Sequence, residues 1–411
     1  MAERLKPVLL LSNGHGEDLS GSLLAAALKR RGIAVEALPM VGHGEPYRQA
    51  GIPVLGRTRS YSTGGLGYTS ALGQLTELLQ GQLLYCLRRL WLLGQQRRRF
   101  SLVVGVGDLL PVLGIWLSGR PGAVYLVAYS SHYEGRLRLP WPCGWLLRQR
   151  RIRAVWSRDA LTAADLSQQL GRPVTFLGNP FLDPLAGSFE PPSVAPAGAA
   201  QRLALLPGSR LPEALRNLEL MLRLLALLPE PLRRPGRLEV AAALVRDLTA
   251  EAIASAARPL GWQATGDQPL VLQGHGLQVE LGWGRFGSIL SGADLVLSMA
   301  GTATEQAVGL AKPVLQLAGR GPQFTANFAE AQRRLLGPGL SCAAGAAGSA
   351  ETLAEGATLA AQRLEELADP KRAAALHRCL RQEAERRIGP AGGTTRMVEA
   401  IMALLAASSH G

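Results

Sequence analysis

Residues 293–317 read ADLVLSMAGTATEQAVGLAKPVLQL, a pattern of strand, turn, helix and second strand. The apolar run Leu295–Leu297 predicts the first strand, and the small residues Ser298–Gly301 predict a tight turn after it. Thr302 is of a residue type that caps helices, and Lys312-Pro313 ends the helix before the next strand begins. Units of this kind build α/β sheets that bind ligands at the ends of their strands.

The helix that begins near Thr302 is a candidate phosphate-binding site. Its first backbone N–H groups have no partner within the helix, and the helix dipole favours negative charge there. Gly301 lets the backbone approach a ligand, and the hydroxyls of Thr302 and Thr304 can donate to phosphate oxygens. Glu305 would repel phosphate, so we expect it to face ribose hydroxyls. The alternative interpretation is an ordinary turn and helix cap, which any α/β protein contains many times.

The length and composition indicate a folded protein of two or three domains. The chain has 411 residues, 47% of them hydrophobic, and a mean hydropathy of +0.11; about 150 residues per domain is a usual size. Only four apolar residues, Val8–Leu11, follow the charged N-terminus, too few for a signal peptide. Gln and Arg interrupt the most apolar region, residues 72–93, well short of the roughly 20 apolar residues of a membrane span. We therefore expect a cytoplasmic protein.

The cysteines point to neither a disulfide framework nor a zinc site. The four cysteines are Cys86, Cys143, Cys342 and Cys379. They lie far apart without the paired spacing that such sites show. We therefore expect reduced, packed thiols, and we expect no cofactor.

Positive charge is concentrated in the first half of the chain. Residues 1–200 hold 22 Lys and Arg against 12 Asp and Glu, whereas residues 201–411 hold 22 against 19. Region 88–153 has twelve basic residues and two acidic ones, and Trp and Leu alternate with the basic clusters. Arginines beside exposed Trp and Leu suit an anionic membrane surface, so we expect peripheral association with the inner face of the membrane. A solvated arginine-rich face is the alternative; nucleic acid is not expected, because no base-reading motif is recognised.

The order of strand and helix patterns starts twice. A strand at Val8–Ser12 and a helix from about Leu19 to Arg31 open the first series, and a strand at Arg202–Leu206 and a helix at Pro212–Leu228 open the second. The proline-rich segment Pro184–Gln201 between them is a linker candidate. Such alternation favours parallel sheets covered by helices on both faces.

We predict an α/β fold of two doubly wound, Rossmann-like domains that face each other across a cleft. The predicted parts are an N-terminal acceptor- and membrane-facing domain (1–183), a linker (184–201), a C-terminal nucleotide-sugar domain (202–368) and C-terminal helices that cross back to the first domain (369–411). Ligands of such sheets bind at the carboxyl ends of the strands.

Three motifs resemble the lipid-A-disaccharide synthase family of glycosyltransferases. They are Gly178–Asp183 (GNPFLD), Leu205–Glu213 (LLPGSRLPE) and, about ninety residues later, Ala300–Glu305 (AGTATE). The resemblance is to a divergent, synthase-related branch. It implies a GT-B fold, a UDP-sugar donor of the UDP-N-acetylglucosamine type held mainly by the second domain, a lipid-linked or membrane-associated acceptor held by the first, and no metal requirement.

The resemblance also implies a set of donor-binding residues. They are Gly208, Ser209, Arg210, Ser298, Gly301, Thr302, Ala303, Thr304 and Glu305. A guanidinium at position 210 could neutralise the charge on the departing UDP without a bound cation. Gln323 and Asn327 are the nearest candidates for contact with the donor sugar, with surface loop side chains as the equal alternative.

The first glycine-rich loop departs from the family pattern. It reads Gly14-His15-Gly16-Glu17-Asp18 and shares only Asp18 and Gly21 with the family's Ser-Gly-Asp element, so Gly14, Gly16 and Asp18 are expected to form the acceptor loop. His15 could act as a general base, because a neutral imidazole accepts a proton near neutral pH, or it could cap its own loop.

Asp108 is the favoured catalytic base, ahead of His15 and Glu17. It follows the predicted strand Leu102–Val106, at roughly the place where the family carries its proposed catalytic aspartate. Its basic neighbourhood predicts a depressed pKa. The predicted mechanism is direct displacement, in which the base takes the acceptor hydroxyl proton as that oxygen attacks the anomeric carbon and UDP leaves. A UDP-sugar epimerase and a non-catalytic membrane-binding protein with the same fold are the alternatives.

Overall fold

The computed structural model describes residues 6–58, 82–133, 135–188, 200–267, 269–319 and 325–408. The chain divides into two compact units. One unit comprises Met1–Asp183 together with Gly389–Gly411, and the other comprises Pro184–Ile388. Most of the predicted linker, residues 189–199, lies outside the described residues.

The first unit is built on a parallel sheet with the strand order β2-β1-β3-β4-β5-β6. Its strands are β1 (Val8–Asn13), β2 (Val35–Val41), β3 (Leu102–Val106), β4 (Gly122–Leu126), β5 (Ile152–Ser157) and β6 (Thr175–Phe176). β1 pairs with both β2 and β3, so the strand order reverses there. The loops that follow β1 and β3 therefore flank a topological switch point, the usual place for a ligand in such a sheet.

Helices cover this sheet and make its strands almost wholly buried. They are α1 (His15–Arg30), α2 (Glu45–Gln49), α3 (Gln82–Gln96), α4 (Leu109–Ser118), α5 (Cys143–Leu147) and α6 (Ala160–Leu170), joined by the last helix of the chain, α15 (Gly393–Ser408). α1 packs against α2 and α15, whereas α4 packs against α3 and α5. Burial of apolar strand residues such as Leu9, Val103 and Val124 provides the core.

The second unit contains a sheet with the strand order β14-β13-β12-β7-β8-β11-β10-β9. Its strands are β7 (Gln201–Leu206), β8 (Leu238–Leu244), β9 (Gln263–Thr265), β10 (Val271–Gly274), β11 (Leu277–Trp283), β12 (Leu295–Ser298), β13 (Val314–Gln316) and β14 (Leu340–Cys342). β10 runs antiparallel to both β9 and β11, and the other pairs are parallel. The sequence pattern did not predict the short strands β9, β10 and β14.

The helices of the second unit pack on a core that includes Leu205, Met221 and Leu297. They are α7 (Glu213–Ala226), α8 (Glu230–Arg233), α9 (Ala250–Ala257), α10 (Phe286–Gly292), α11 (Thr302–Gly309), α12 (Ala326–Leu336), α13 (Ala350–Ala368) and α14 (Pro370–Arg387). After α14 the chain returns to the first unit. There the Asp183 carboxylate accepts hydrogen bonds from the backbone N–H groups of Gly392 (2.6 Å) and Thr394 (2.7 Å) and so fixes the start of α15.

The start of α1 corrects one expectation. The helix was predicted from about Leu19, but it begins at His15, so Gly16, Glu17 and Asp18 lie in its first turn and not in a loop. Gly14 alone remains outside the helix, with a φ of 137° that favours glycine. Carboxylates in a first helical turn interact well with the helix dipole, which explains the early start.

None of the helices in the described parts of the chain is both long and apolar enough to cross a bilayer.

Candidate functional site

In the second unit, the loops that follow β7 and β12 touch each other. The two strands pair in parallel with Ser298 opposite Leu206, and the backbone N–H of Met299 donates to the carbonyl of Leu206 at 2.8 Å. Gly208 has a φ of 102°, and a β-carbon there would lie 3.1 Å from the carbonyl oxygen of Met299. A glycine is therefore needed at this position both for its backbone conformation and for the close approach. The two motifs that lie about ninety residues apart in the chain thus form one surface.

A buried asparagine holds these two loops together. Asn217, on α7, is 4% exposed, and its Nδ2 donates to the carbonyls of Pro207 (2.9 Å) and Met299 (3.4 Å). The sequence analysis missed this residue. The available signal was an amide side chain at a helix position whose neighbours Leu218 and Met221 belong to the apolar core.

The N-terminus of α11 opens beside this pair of loops. Its N-cap residue is Gly301, which has no side chain to cap the first amides. A β-carbon at Gly301 would meet nothing within 4 Å, so the space beside this N-cap residue is open. The backbone amides of Thr302 and Ala303 begin the helix, and unpaired amides of this kind bind anions.

Thr304 does not have the role that the sequence suggested. Its side chain is fully buried, and its hydroxyl donates to the carbonyl of Ala300 at 2.6 Å and contacts the Ser298 hydroxyl at 2.6 Å. Ser298 is buried as well. The expectation that the Thr304 hydroxyl faces phosphate is therefore wrong; the pair Ser298–Thr304 fixes the turn from below.

Two glutamines support the same turn. Gln332, on α12, donates from Nε2 to the carbonyl of Gly301 at 3.5 Å, and its Oε1 accepts from Nε2 of Gln316 at the end of β13. Both side chains are buried. They hold the backbone at the N-terminus of α11, and sequence reasoning did not single them out.

The remaining donor candidates differ in exposure. Ser209 is exposed, and Arg210 and Glu305 are half-buried at the loop after β7 and in the first turn of α11. Asn327 is exposed in the first turn of α12, whereas Gln323 lies outside the described residues.

In the first unit, Asp108 is the N-cap of α4. Its Oδ1 accepts from the backbone N–H of Leu110 at 2.9 Å, and its Oδ2 accepts from Nδ2 of Asn13 at 2.8 Å. Burial raises the pKa of this carboxyl above its ordinary value, and the two hydrogen bonds oppose the rise. The expectation of a depressed pKa is therefore wrong, because desolvation by burial is the largest influence on this carboxyl.

Glu17 lies beside the same loop. A β-carbon at Gly14 would meet the Glu17 carboxylate at 2.5 Å, and one at Gly107 would meet Glu17 Cγ at 3.4 Å. The loops after β1 and β3 thus bring Glu17 and the Asp108 loop together at the switch point of the sheet. His15 is the first residue of α1, directly after Gly14.

Asp18 lies beneath this loop and not in it. It is 0% exposed, and the Ser12 hydroxyl donates to it at 2.5 Å while the Tyr47 hydroxyl donates to Ser12 at 3.0 Å. Burial raises the pKa of Asp18 to about 7, against the hydrogen bond from Ser12 and the positive charges of Arg89 and Arg48. A fully buried carboxyl cannot contact an acceptor, so the expectation that Asp18 belongs to an acceptor loop is wrong.

The loop after β4 adds polar groups that the sequence analysis missed. The backbone N–H of Leu109 donates to the Tyr129 hydroxyl at 3.1 Å, which ties this loop to Asp108's helix. Further along, Nε2 of His132 lies 3.9 Å from the buried carboxylate of Asp159.

Among the described residues, no group of three or more His, Cys, Asp or Glu could hold a metal ion.

Exposed apolar side chains lie on helices α3, α4 and α5 of the first unit and on the segment that precedes α5. These side chains are Leu84, Leu87, Trp91, Leu117, Trp141 and Trp145. Trp141 is 90% and Trp91 65% exposed, values that a core residue would not have. We call these six residues the apolar face. Large contiguous patches of exposed apolar side chains are typical of interaction surfaces, whereas single exposed ones are common on soluble proteins.

One arginine of the basic region belongs to the interior. Arg89, on α3, is 3% exposed and donates to the carbonyls of Pro39 and Leu55, both at 2.7 Å. It anchors α3 to β2 and the following segment, so it is not part of a basic surface.

Two α/β units, one with a parallel sheet and one with a sheet that is parallel except at its β11-β10-β9 edge, have the architecture of the GT-B fold. Solved glycosyltransferase and epimerase structures share this fold. A calicheamicin glycosyltransferase has a TM-score of 0.56 at 18% identity, covering 98% of this chain and 99% of that one. MurG from Acinetobacter baumannii has a TM-score of 0.54 at 14% identity, covering 97% and 99%. UDP-GlcNAc 2-epimerase from Neisseria meningitidis, bound to UDP-GlcNAc, has a TM-score of 0.51 at 13% identity, covering 97% and 100%.

The sequence is similar to one curated relative in particular. It is 33% identical over 227 residues to the lipid-A-disaccharide synthase of Alkalilimnicola ehrlichii, a match that spans 52% of this chain and 52% of the relative. The chain thus matches about half the length of that protein. The resemblance predicted from the motifs, and the GT-B fold that it implied, are confirmed. No family model matches the chain.

Proposed function

We propose that the protein is a glycosyltransferase that moves a sugar from a UDP-sugar of the UDP-N-acetylglucosamine type to a lipid-linked acceptor. The observation that carries the proposal is the contact between the Gly208 loop and the Met299 turn, which joins two motifs of the resemblance beside the open N-terminus of α11. The 33% identity to a lipid-A-disaccharide synthase supports the same activity.

The second unit would hold the donor. The diphosphate accepts hydrogen bonds from the amides of Thr302 and Ala303, in the open space above Gly301. Arg210, two residues after Gly208, supplies a permanent positive charge that stabilises the departing UDP, so that no metal ion is required. Glu305 accepts hydrogen bonds from the ribose hydroxyls, and Asn327 contacts the donor sugar.

The first unit would supply the base. Asp108 remains the favoured candidate, because its raised pKa makes it a better proton acceptor than an ordinary aspartate. Glu17 is the competing carboxylate, since its side chain lies beside Gly107, the residue before Asp108. The base takes the proton of the acceptor hydroxyl as the oxygen attacks the anomeric carbon.

The acceptor is presented at a membrane surface. The apolar face and the arginines of region 88–153 support peripheral binding to an anionic bilayer, with the protein on the cytoplasmic side. Apolar side chains enter the interface, and nearby arginines contribute about 1 kcal/mol each.

A panel of UDP-sugars, offered with total membrane lipid and read by mass spectrometry, tests the proposal. We expect one UDP-sugar to give a lipid product heavier by one sugar residue, with release of UDP. Conversion of a UDP-sugar to its epimer without any lipid would favour the epimerase alternative. Absence of both reactions, together with absence of UDP binding, would contradict a catalytic function.

A further inference from the structure

A recess lined by arginines lies in the first unit, where β4 and β5 begin. It has a volume of about 560 Å³ and is bounded by Gly119, Pro121, Arg148, Arg150, Arg151 and Arg153. We call it the arginine basin. It lies at the end of the sheet opposite the loops that contain Gly14 and Asp108, so it is separate from the proposed transfer site.

Two of the four arginines have a structural role. Arg148 donates to the carbonyls of Gln169 (2.5 Å) and Leu170 (3.4 Å) at the end of α6, and Arg151 donates to the carbonyl of Trp116 (2.6 Å) near the end of α4. Carbonyls at helix C-termini need such donors. These bonds fix the two side chains but leave their charges uncompensated.

The other two arginines have no such role. Arg150 and Arg153 are exposed, and within the described residues neither donates a side-chain hydrogen bond. None of the four arginines pairs with a carboxylate among the described residues. Four positive charges around one recess repel each other, and an anion in the recess would relieve this repulsion.

The number of charges favours a dianion. A phosphomonoester carries a charge of about −1.5 to −2 at neutral pH and three acceptor oxygens. A phosphodiester has a single charge, which one guanidinium can neutralise. Guanidinium groups bind phosphate oxygens in pairs, so a recess with several of them suits the monoester.

The arginine basin is continuous with the apolar face. The Trp116 ring packs edge-on against exposed Trp145, with 5.8 Å between ring centroids, and the Arg151 guanidinium lies 6.0 Å from the Trp116 ring centroid. Leu117 is exposed on the same helix. A bilayer that receives Trp145 and Leu117 would therefore bring its headgroups to the basin.

We propose that the arginine basin binds the phosphomonoester headgroup of an anionic lipid. The proposal rests on the membrane docking put forward above. It adds a preference for one type of headgroup, which attraction between a basic surface and any anionic bilayer would not give. Lipids with a terminal phosphate, such as phosphatidic acid, are the class that fits.

Vesicle binding tests the proposal. Phosphatidylcholine vesicles containing phosphatidic acid are compared with vesicles containing phosphatidylserine at matched surface charge. We expect the protein to bind the phosphatidic acid vesicles about tenfold more tightly, and the double variant Arg150→Gln/Arg153→Gln to lose this preference. The control Arg88→Gln/Arg138→Gln removes two exposed arginines outside the basin and should keep it.

The outcomes separate the two proposals. Equal binding to both kinds of anionic vesicle would overturn the proposed headgroup site in the basin but would not contradict membrane docking. No binding to any vesicle overturns both, while thermal stabilisation by UDP tests the donor site independently. Inorganic phosphate could stabilise the wild type and not the double variant, while neither protein prefers one kind of vesicle. This result would show that the basin binds anions but not lipids, and it would overturn the proposal. RNA binding that exceeds vesicle binding and is lost in the double variant does the same.

Discussion

Gly208 and Met299 meet so closely that a β-carbon at position 208 would lie 3.1 Å from the carbonyl oxygen of Met299. The contact joins the loops after two adjacent strands, and Asn217 bonds to both loops from below. Gly301, two residues beyond Met299, faces open space instead. The same pair of loops thus contains one glycine that the fold needs and one that it does not.

Alanine substitution at Gly208 should lower the stability of the fold, whereas alanine substitution at Gly301 should weaken UDP binding. Gly208→Ala is expected to destabilise the protein by about 1–3 kcal/mol, because its φ is positive and the methyl group meets a carbonyl. Gly301→Ala should leave the unfolding temperature unchanged but weaken UDP binding about tenfold, since the added methyl group occupies open space at the N-cap that the proposed diphosphate would use. Thermal unfolding and calorimetric titration with UDP measure both. Unchanged UDP affinity in Gly301→Ala would contradict a diphosphate at this helix.

Arg210→Ala should weaken UDP binding by about 1.5–3 kcal/mol, the range for a hydrogen bond to a charged group. Arg216→Ala removes an exposed arginine of α7 and serves as the control. Calorimetric titration with UDP distinguishes them. Equal affinities for the two variants would remove Arg210 from the donor site.

Asp108→Asn should abolish sugar transfer and leave UDP binding intact. Asparagine also caps helices, so the start of α4 is expected to persist. Glu17→Gln is the matched variant, because the Glu17 side chain lies beside Gly107, the residue before Asp108. Transfer rates and UDP affinities are measured for both. Full activity in Asp108→Asn with loss of activity in Glu17→Gln would reassign the base to Glu17.

The buried Asp18 predicts a pH-dependent stability. Its pKa is raised to about 7 in the folded protein from an ordinary value of 3.8. The folded state therefore holds a proton that the unfolded state releases, and stability should fall as the pH rises from about 4 to about 7 and then level off. Asp18→Asn should remove this part of the dependence. Urea unfolding across that pH range measures it, and parallel curves for the two proteins would contradict the raised pKa.

Replacing one residue of the apolar face should weaken membrane binding without lowering the stability of the fold. Trp141 is 90% exposed, so Trp141→Ser should leave the unfolding temperature unchanged and lower the binding to anionic vesicles. Leu227, which is 50% exposed in the second unit, provides the control Leu227→Ser. Vesicle sedimentation compares them. Equal loss of binding in both variants would show that the apolar face has no special role.

The sequence predicted most of the strands that position the site, since apolar runs such as Leu102–Val106 and Leu295–Leu297 are bounded by turn residues. It did not reveal that Thr304 is buried, because a threonine in a first helical turn can face either way. The raised pKa of Asp108 could not be predicted either, since the count of nearby arginines says nothing about burial. Strands β9 and β10 escaped prediction because short antiparallel strands at a sheet edge carry little apolar periodicity.

Thermal unfolding with increasing UDP, applied to the wild type and to a Gly301→Ala/Arg210→Ala variant, tests the central claim most directly. The account predicts that UDP at about 100 times its dissociation constant stabilises the wild type by about 2.7 kcal/mol and leaves the variant nearly unaffected at the same concentration. Absence of stabilisation of the wild type at millimolar UDP, or equal stabilisation of both proteins, would contradict it.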